Sequence, residues 1–372
     1  MRYVICGYPP GEGGVPKLIE YIENNKTENI LLIHPFTLKT GFTLPDLLLK
    51  ALFRLIFSAR CLFIRNKKIC LIHQQSIGLA LTKFLITHNR TDPIIYFMDN
   101  SFFCLSSYNL RKDATSNFVK SECLKCLKGN FENAIIDGCK SITFSISNER
   151  QIIKFLKWLR EYKGKLRFLS LSKTNKSLME KHFETERVEK IYFLTEDLKP
   201  VKIIEDNIPD KSYDFVFHGS AIDAKGLKYF IELAKFMPKQ TFFVPSEMNS
   251  LEIPSNLKSR DMRWESGLKE IVQSAKIVFT PSLWSYTPEA ASLKSFYYNG
   301  VVAMMCSDFG FNNEIPSNAY IKLTGNIEND KKALLNLSSL KLENIRLHGK
   351  DFFRNYSEVA EGDMKDFLDN NV

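Results

Sequence analysis

The chain has 372 residues, with 51 Lys and Arg against 42 Asp and Glu, and is 44% hydrophobic and 25% charged. That composition excludes disordered, collagen-like and coiled-coil chains, and the length predicts two domains. The net charge of +9 is uneven: residues 1–212 hold 33 basic and 22 acidic side chains and the remainder 18 and 20, so an anionic partner is expected on the first half.

Short β-type runs alternate with longer amphipathic patterns, which predicts parallel sheets covered by helices, an α/β fold. In the first half the strands are expected at Arg2–Cys6, Ile30–His34, Lys68–His73, Pro93–Met98, Ser141–Ser145 and Leu166–Ser170, with a helix over Gln151–Tyr162. The apolar run at the N-terminus is too short for a signal peptide or a membrane span, so a cytoplasmic location is expected. Residues 188–212 hold two prolines and a polar stretch, Glu205–Ser212, and place the domain boundary. The expected division is 1–204, 205–350, and a C-terminal helix in 351–372 packing back towards the first domain. The second series runs Tyr213–His218, helix Lys225–Phe236, Gln240–Val244, helix Gly267–Ser274, Lys276–Thr280, helix Pro288–Tyr298 and Val301–Met305. On alternation alone, a two-domain dehydrogenase, a periplasmic-type binding protein and an enzyme of the GT-B type all fit.

Three loops are suited to phosphate or sugar. After the first strand, Gly7 to Lys17 includes Gly11, Gly13 and Gly14 and leads into a helix, so backbone amides can approach an anion. It lacks the Gly-x-Gly-x-x-Gly dinucleotide fingerprint, which weakens the dehydrogenase reading. After Tyr213–His218 come Gly219, Ser220 and then Lys225-Gly226, where a lysine at a helix start can reach a diphosphate. After Lys276–Thr280 comes Pro281-Ser282-Leu-Trp284-Ser-Tyr286-Thr287-Pro288-Glu289-Ala290. Thr287 is expected as N-cap and Pro288 as the first helical residue, with Glu289 in the first turn. Trp284 and Tyr286 are rings suited to a sugar or a base.

Taken together, these loops resemble those of bacterial GT-B glycosyltransferases, of the retaining group classed as family 4 and used in surface-polysaccharide assembly (O-antigen, capsule, lipopolysaccharide). Gly13-Gly14-Val15 is similar to the N-terminal glycine turn of that family, and Gly219 with Lys225-Gly226 to its glycine and donor-diphosphate lysine. Pro281-Ser282 resembles its Pro-Ser loop, Glu289 to Ser295 a Glu-Gly-Ala-Leu-x-Lys-Ser helix, and Asn313-Glu314-Ile-Pro the tail of that variant. The chain departs from the pattern at Ser220, where a basic residue is usual, at Tyr297, where no second glutamate follows Glu289, and at Met98-Asp99, where relatives show His-Asp.

The resemblance implies two Rossmann-like domains facing across a cleft and transfer of a sugar, hexosyl or related, from a nucleotide-diphosphate donor, with no bound metal needed for catalysis. It implies catalytic roles for Glu289 and Lys225, and donor contacts from Gly219, Ser220, Lys225, Gly226, Ser282, Glu289, Ala290 and Lys294. Acceptor contacts fall to Gly13, Gly14 and Asp99. A nucleotide-sugar epimerase of the same architecture, or a catalytically silent sugar- or lipid-binding partner, is the alternative.

Two further segments carry chemistry. Cys104, Cys123, Cys126 and Cys139, with Cys-x2-Cys at the centre, have the ligand types of a structural zinc site. Between Asp46 and Lys68, Lys50, Arg54, Arg60, Arg65, Lys67 and Lys68 are threaded through leucines and phenylalanines. These charges exclude a transmembrane helix and suit an anionic membrane surface. The expected partners are thus a nucleotide sugar, a lipid-linked oligosaccharide and the inner face of the cytoplasmic membrane. No nucleic-acid-binding signature is present, and nucleic acid is not expected as a partner.

Overall fold

The computed structural model describes residues 1–36, 44–64, 66–89, 91–110, 118, 122–141, 148–198, 213–248 and 253–369. The strand expected at Ser141–Ser145, the domain boundary at residue 204 and Arg65 lie wholly or mostly outside them. Two compact units emerge. Unit 1 comprises Met1–Ser107, Leu124–Asp197 and Val359–Val372, and unit 2 comprises Tyr108–Cys123 and Leu198–Glu358.

Unit 1 is built on β1 (Arg2–Cys6), β2 (Ile30–Ile33), β3 (Lys68–Ile72), β4 (Ile94–Phe97), β5 (Arg167–Ser170) and β6 (Val188–Lys190). The strands form one sheet in the order β2-β1-β3-β4-β5-β6, every pair parallel. Runs such as Val4-Ile5-Cys6 and Ile94 to Phe97 are wholly buried, as expected of parallel strands covered on both faces by helices. Against the sheet packs an aromatic group in which the Phe168 and Phe183 rings stack at 4.2 Å and Phe97 and Phe102 meet edge to face at 5.3 Å. The end of the last helix belongs here: Asp363 Oδ2 accepts from Lys190 Nζ at 2.6 Å and from Tyr192 N at 2.8 Å.

Unit 2 repeats the plan with β7 (Phe215–Phe217), β8 (Phe242–Val244), β9 (Leu257–Ser259), β10 (Ile277–Phe279), β11 (Val302–Met305) and β12 (Ile321–Leu323). The sheet order is β12-β11-β10-β7-β8-β9, again parallel throughout. Counted from β7, that order is 3-2-1-4-5-6, the arrangement of dinucleotide-binding Rossmann domains. Phe215, Phe217, Phe230, Phe242 and Phe279 fill its core.

The topology locates the ligand sites. In open α/β sheets, ligands bind beyond the carboxyl ends of the strands at the point where strand order reverses. In unit 1 that point lies between β1 and β3, and in unit 2 between β7 and β10.

Candidate active site

In unit 2 the loops after β7 and β10 meet at the switch point. Following β7, Gly219 opens the turn, Asp223–Lys225 forms one 3-10 turn, and helix Leu227–Phe236 begins behind Gly226. Gly226 has φ 82°, and a Cβ there would collide with the carbonyl oxygen of Pro281. Glycine is required on both counts, left-handed backbone and close approach. The two loops are also pinned by Leu283 N donating to Ala224 O at 2.9 Å.

This contact brings Lys225 onto the second loop. Its Nζ lies 2.6 Å from Glu289 Oε1, and the two side chains are 17% and 11% exposed. The same carboxylate accepts from Ser282 Oγ at 3.0 and 3.1 Å and from Trp284 Nε1 at 3.0 Å. Lys225 Nζ also stands 4.8 Å from the Trp284 ring centroid, a cation–π contact. One carboxylate with three donors is fully engaged, so both its position and its charge are preorganised.

Glu289 is not in the first helical turn as expected. The helix runs Ala290–Tyr298, and Glu289 is its capping residue in extended backbone at φ −105°, ψ 132°, with no side-chain cap bond. The reason is the side chain's three partners, which draw it back to Ser282 and Lys225 and away from the helix amides. Ala290, the first helical residue, therefore presents its amide at a start that no side chain of the capping residue covers.

The remaining donor-loop residues fall elsewhere. Ser220 is exposed, and its carbonyl accepts from Ile222 N at 2.8 Å. Lys294 lies one helical turn beyond Ala290, its Nζ 4.5 Å from the Trp264 ring centroid. Trp264 stacks on His218 at 5.1 Å and 6°, and His218 Nδ1 is 2.9 Å from Ser295 Oγ. Burial, aided by the Lys294 charge, lowers the His218 pKa to about 3, so the imidazole is neutral near pH 7. Sequence reasoning passed over His218 and Trp264: the histidine ends an expected strand, and Trp264 follows β9, a strand too short to stand out.

Tyr286, expected as a ligand ring, is buried and donates to Met305 O at 3.1 Å. It supports the loop from below. Tyr108 and Asn109 serve the same loop: Tyr108 packs on Trp284 at 5.1 Å, and Asn109 Nδ2 donates to Ser285 Oγ at 2.8 Å.

In unit 1, Gly13 caps helix Gly14–Asn25 at φ 102°, and Gly13 and Gly14 are exposed. Gly7 is the glycine under steric constraint, because a Cβ there would strike the Ser76 carbonyl. Beneath this approach, the Arg54 guanidinium donates to Ser76 O and Ile77 O at 2.5 Å each and to Gly7 O at 3.4 Å. Arg54, read from sequence as part of a membrane-facing cationic segment, is therefore committed inward. Asp99, after β4, accepts from Ser101 N at 2.9 Å and from Gln75 Nε2 at 3.3 Å.

The four cysteines expected to hold zinc are not gathered. All eight cysteines are thiols outside disulfides, and among the described residues no group of three or more His, Cys, Asp or Glu side chains is placed to hold a metal ion. Cys104 Sγ instead lies 3.3 Å from Ser106 Oγ, and Cys126 is buried.

No family model matches the sequence, and no curated protein matches it. Solved structures do match in fold. HepE of Anabaena, solved with UDP-glucose, aligns over 99% of this chain and 99% of its own at 11% identity and a TM-score of 0.60. Sucrose-phosphate synthase of Thermosynechococcus elongatus aligns over 100% of both chains at 10% identity and a TM-score of 0.59. A single-residue mutant of TarM of S. aureus, solved with fondaparinux, alpha-GlcNAc-glycerol and UDP, aligns over 84% of this chain at 14% identity and a TM-score of 0.52, and this chain spans 58% of TarM's length. The fold is GT-B, with two Rossmann-like domains, and these structural neighbours are GT-B glycosyltransferases.

Proposed function

We propose that the protein is a glycosyltransferase that takes a sugar from a nucleoside-diphosphate donor, the donor held by unit 2 and the acceptor by unit 1. The observation that carries this reading is the Lys225–Glu289 pair at the unit 2 switch point, braced by Ser282 and Trp284. Departure of the donor's nucleoside diphosphate builds negative charge, and preorganised donors lower the energy of that state. Lys225 meets the charge by turning from Glu289 to the diphosphate, with the amides at Gly219, Ser220 and Ala290 beside it and Lys294 as a second cation, while Gly226, whose amide is bonded to Asp223 O at 2.9 Å, shapes the turn that presents the lysine. Glu289, released from the lysine, accepts hydrogen bonds from donor hydroxyls. In this reading lysine and amides supply the charge stabilisation without a metal ion, and transfer is retaining, of a hexosyl or related group.

Gly13, Gly14 and Asp99 belong to the acceptor side. The acceptor is proposed to be a lipid-linked oligosaccharide in surface-polysaccharide synthesis, met at the inner face of the cytoplasmic membrane. Support comes from helix Leu44–Leu62, where Leu48, Leu55 and the following Phe63 are 64%, 68% and 88% exposed beside the exposed cations Lys50 and Arg60. No helix of the described residues is long and apolar enough to cross a membrane.

The deciding experiment is a thermal-shift screen with UDP, GDP, ADP and dTDP. A ligand that binds only the folded state raises the melting temperature by mass action, by about 2.7 kcal/mol of stability at a hundredfold excess over Kd. At least one diphosphate is expected to raise it, and a flat response to all four removes the donor site.

A further inference from the structure

Segment Tyr108–Cys123 stands in the chain between two stretches of unit 1 and yet folds with unit 2. Its two ends meet there: Cys123 N donates to Asn109 O at 3.1 Å, and Leu110 and Glu122 form an antiparallel bridge. The body of unit 2 is shaped to receive it. Leu110 and Phe118 pack on the core of that unit, and the Phe118 ring meets Tyr229 edge to face at 5.5 Å. A Cβ at Gly325 would strike the Phe118 carbonyl, so a larger residue there would unseat the segment.

Both ends of the segment grip loops at the carboxyl edge of the unit 2 sheet. Tyr108 packs on Trp284, and Asn109 Nδ2 donates to Ser285 Oγ at 2.8 Å, both residues of that bond being buried. At the other end the Glu122 carboxylate accepts from Ser307 Oγ, from Asp308 N at 3.3 Å and from Phe309 N at 2.8 Å. These bonds are charge-assisted and therefore strong. The loop they hold follows β11 and reaches back to the first loop, where Phe311 N donates to Tyr286 O at 2.8 Å. The contacts form a closed circuit: Asn109 to Ser285, Tyr286 to Phe311, residues 307–309 to Glu122, and Cys123 back to Asn109. Trp284 is the link between this circuit and the chemistry, since its Nε1 bonds Glu289 and its ring faces Lys225 at 4.8 Å. When Lys225 turns to the diphosphate, Trp284 and Ser282 are left to keep the carboxylate in place. A misplacement of about 1 Å in such a group costs about 10²-fold in rate.

We infer that segment Tyr108–Cys123 positions the donor-activating pair: Asn109 and Glu122 fix Trp284, and through it Lys225 and Glu289, acting on the pair and not on the donor. The inference rests on the transferase reading of that pair. A Glu122 that only steadied its own loop would leave Trp284 unaffected, and this separates a positioning role from a merely structural one.

Labelling the full chain with 5-fluorotryptophan gives one fluorine signal for each of Trp158, Trp264 and Trp284, and Trp284→Phe identifies the third. Glu122→Gln keeps the size of the side chain but turns an amide N–H towards a backbone N–H donor. It is expected to displace the Trp284 signal by more than its linewidth and to leave that of Trp158 in place. Ser285→Ala removes the acceptor of the Asn109 bond at little change in volume, and keeps the test decisive if Glu122→Gln unfolds. Nucleoside-diphosphate release is measured with UDP-glucose, GDP-mannose, ADP-glucose and dTDP-glucose. With whichever donor the native chain turns over, both variants are expected to lose at least tenfold in kcat with KM within threefold of native. An unmoved Trp284 signal in Glu122→Gln, an unchanged kcat in either variant, or a loss confined to KM would each overturn the inference. Release from none of the four donors by the native chain would remove the transferase reading instead, and the fluorine signal would still decide whether Glu122 holds Trp284.

Discussion

Lys225 illustrates how an ion pair alters the choice of variant. Glu289 is mostly buried, so removing its cation leaves a poorly solvated carboxylate with only Ser282 and Trp284 as partners. Lys225→Ala should therefore lower stability, by about 1–3 kcal/mol, the cost of leaving a buried polar group underserved. Its turnover should fall about 10²–10³-fold, the size of one donor at a developing charge. The double variant Lys225→Ala/Glu289→Gln removes both charges and should recover most of the stability while staying inactive. Melting curves and donor turnover on the three proteins check this. Recovery of activity in the double variant would mean that Lys225 only neutralises Glu289.

Among elements, helix Leu44–Leu62 takes up most of the Asp46–Lys68 segment, whose mixture of leucines and cations suits a membrane surface and a core helix alike. The structure buries Phe57 and Cys61 and leaves Leu47, Leu48, Leu49, Leu52, Leu55 and Leu62 exposed. Exposed apolar patches of this kind mark interaction surfaces, and the neighbouring cations favour an anionic one. Leu48→Glu/Leu55→Glu should fold normally, as exposed substitutions usually do within about 0.5 kcal/mol. Two leucines entering the interface contribute on the order of 3 kcal/mol, so the variant should bind anionic vesicles about a hundredfold more weakly. Cosedimentation with vesicles of mixed phosphatidylcholine and phosphatidylglycerol measures it. Unchanged binding by the variant, or equal binding of the native chain to phosphatidylcholine alone, would remove the membrane role.

At the scale of the whole molecule, stability is coupled to pH through buried neutral histidines in both units. His182 is enclosed by Phe102, Phe103, Phe131 and Phe183. Burial, reinforced by Arg160 and Lys163, lowers its pKa to about 3, the value of His218 as well. Unfolded histidine titrates near 6.5. The stabilisation is complete above that pH and is lost as pH falls towards 3, because the unfolded chain takes up protons that the folded chain refuses. Each histidine contributes a slope of about 1.4 kcal/mol per pH unit in that window. Between pH 7 and pH 5 the free energy of unfolding should drop by about 2 kcal/mol per histidine, read from urea titrations. His182→Gln, which cannot titrate, should show a shallower drop by about one histidine's share, and a parallel slope in native and variant would contradict it.

The alternation of apolar strands with amphipathic helices made both α/β sheets legible, because a buried parallel strand must be apolar on both faces. The glycine, lysine and Pro-Ser loops were legible too, since backbone conformation and local charge are properties of short segments. Strands β6, β9 and β12 are not legible in the sequence, β6 falling inside the 188–212 segment read as the domain boundary: three residues each, they are defined by pairing with distant neighbours and not by local pattern. The same limit applied to function. Sequence named Lys225, Ser282 and Glu289 one by one, but only folding shows that they meet, that Tyr286 is structural, and that the cysteines do not gather. Local chemistry is written along the chain, whereas partners 64 residues apart, such as Lys225 and Glu289, are chosen by the order in which the sheet places its strands.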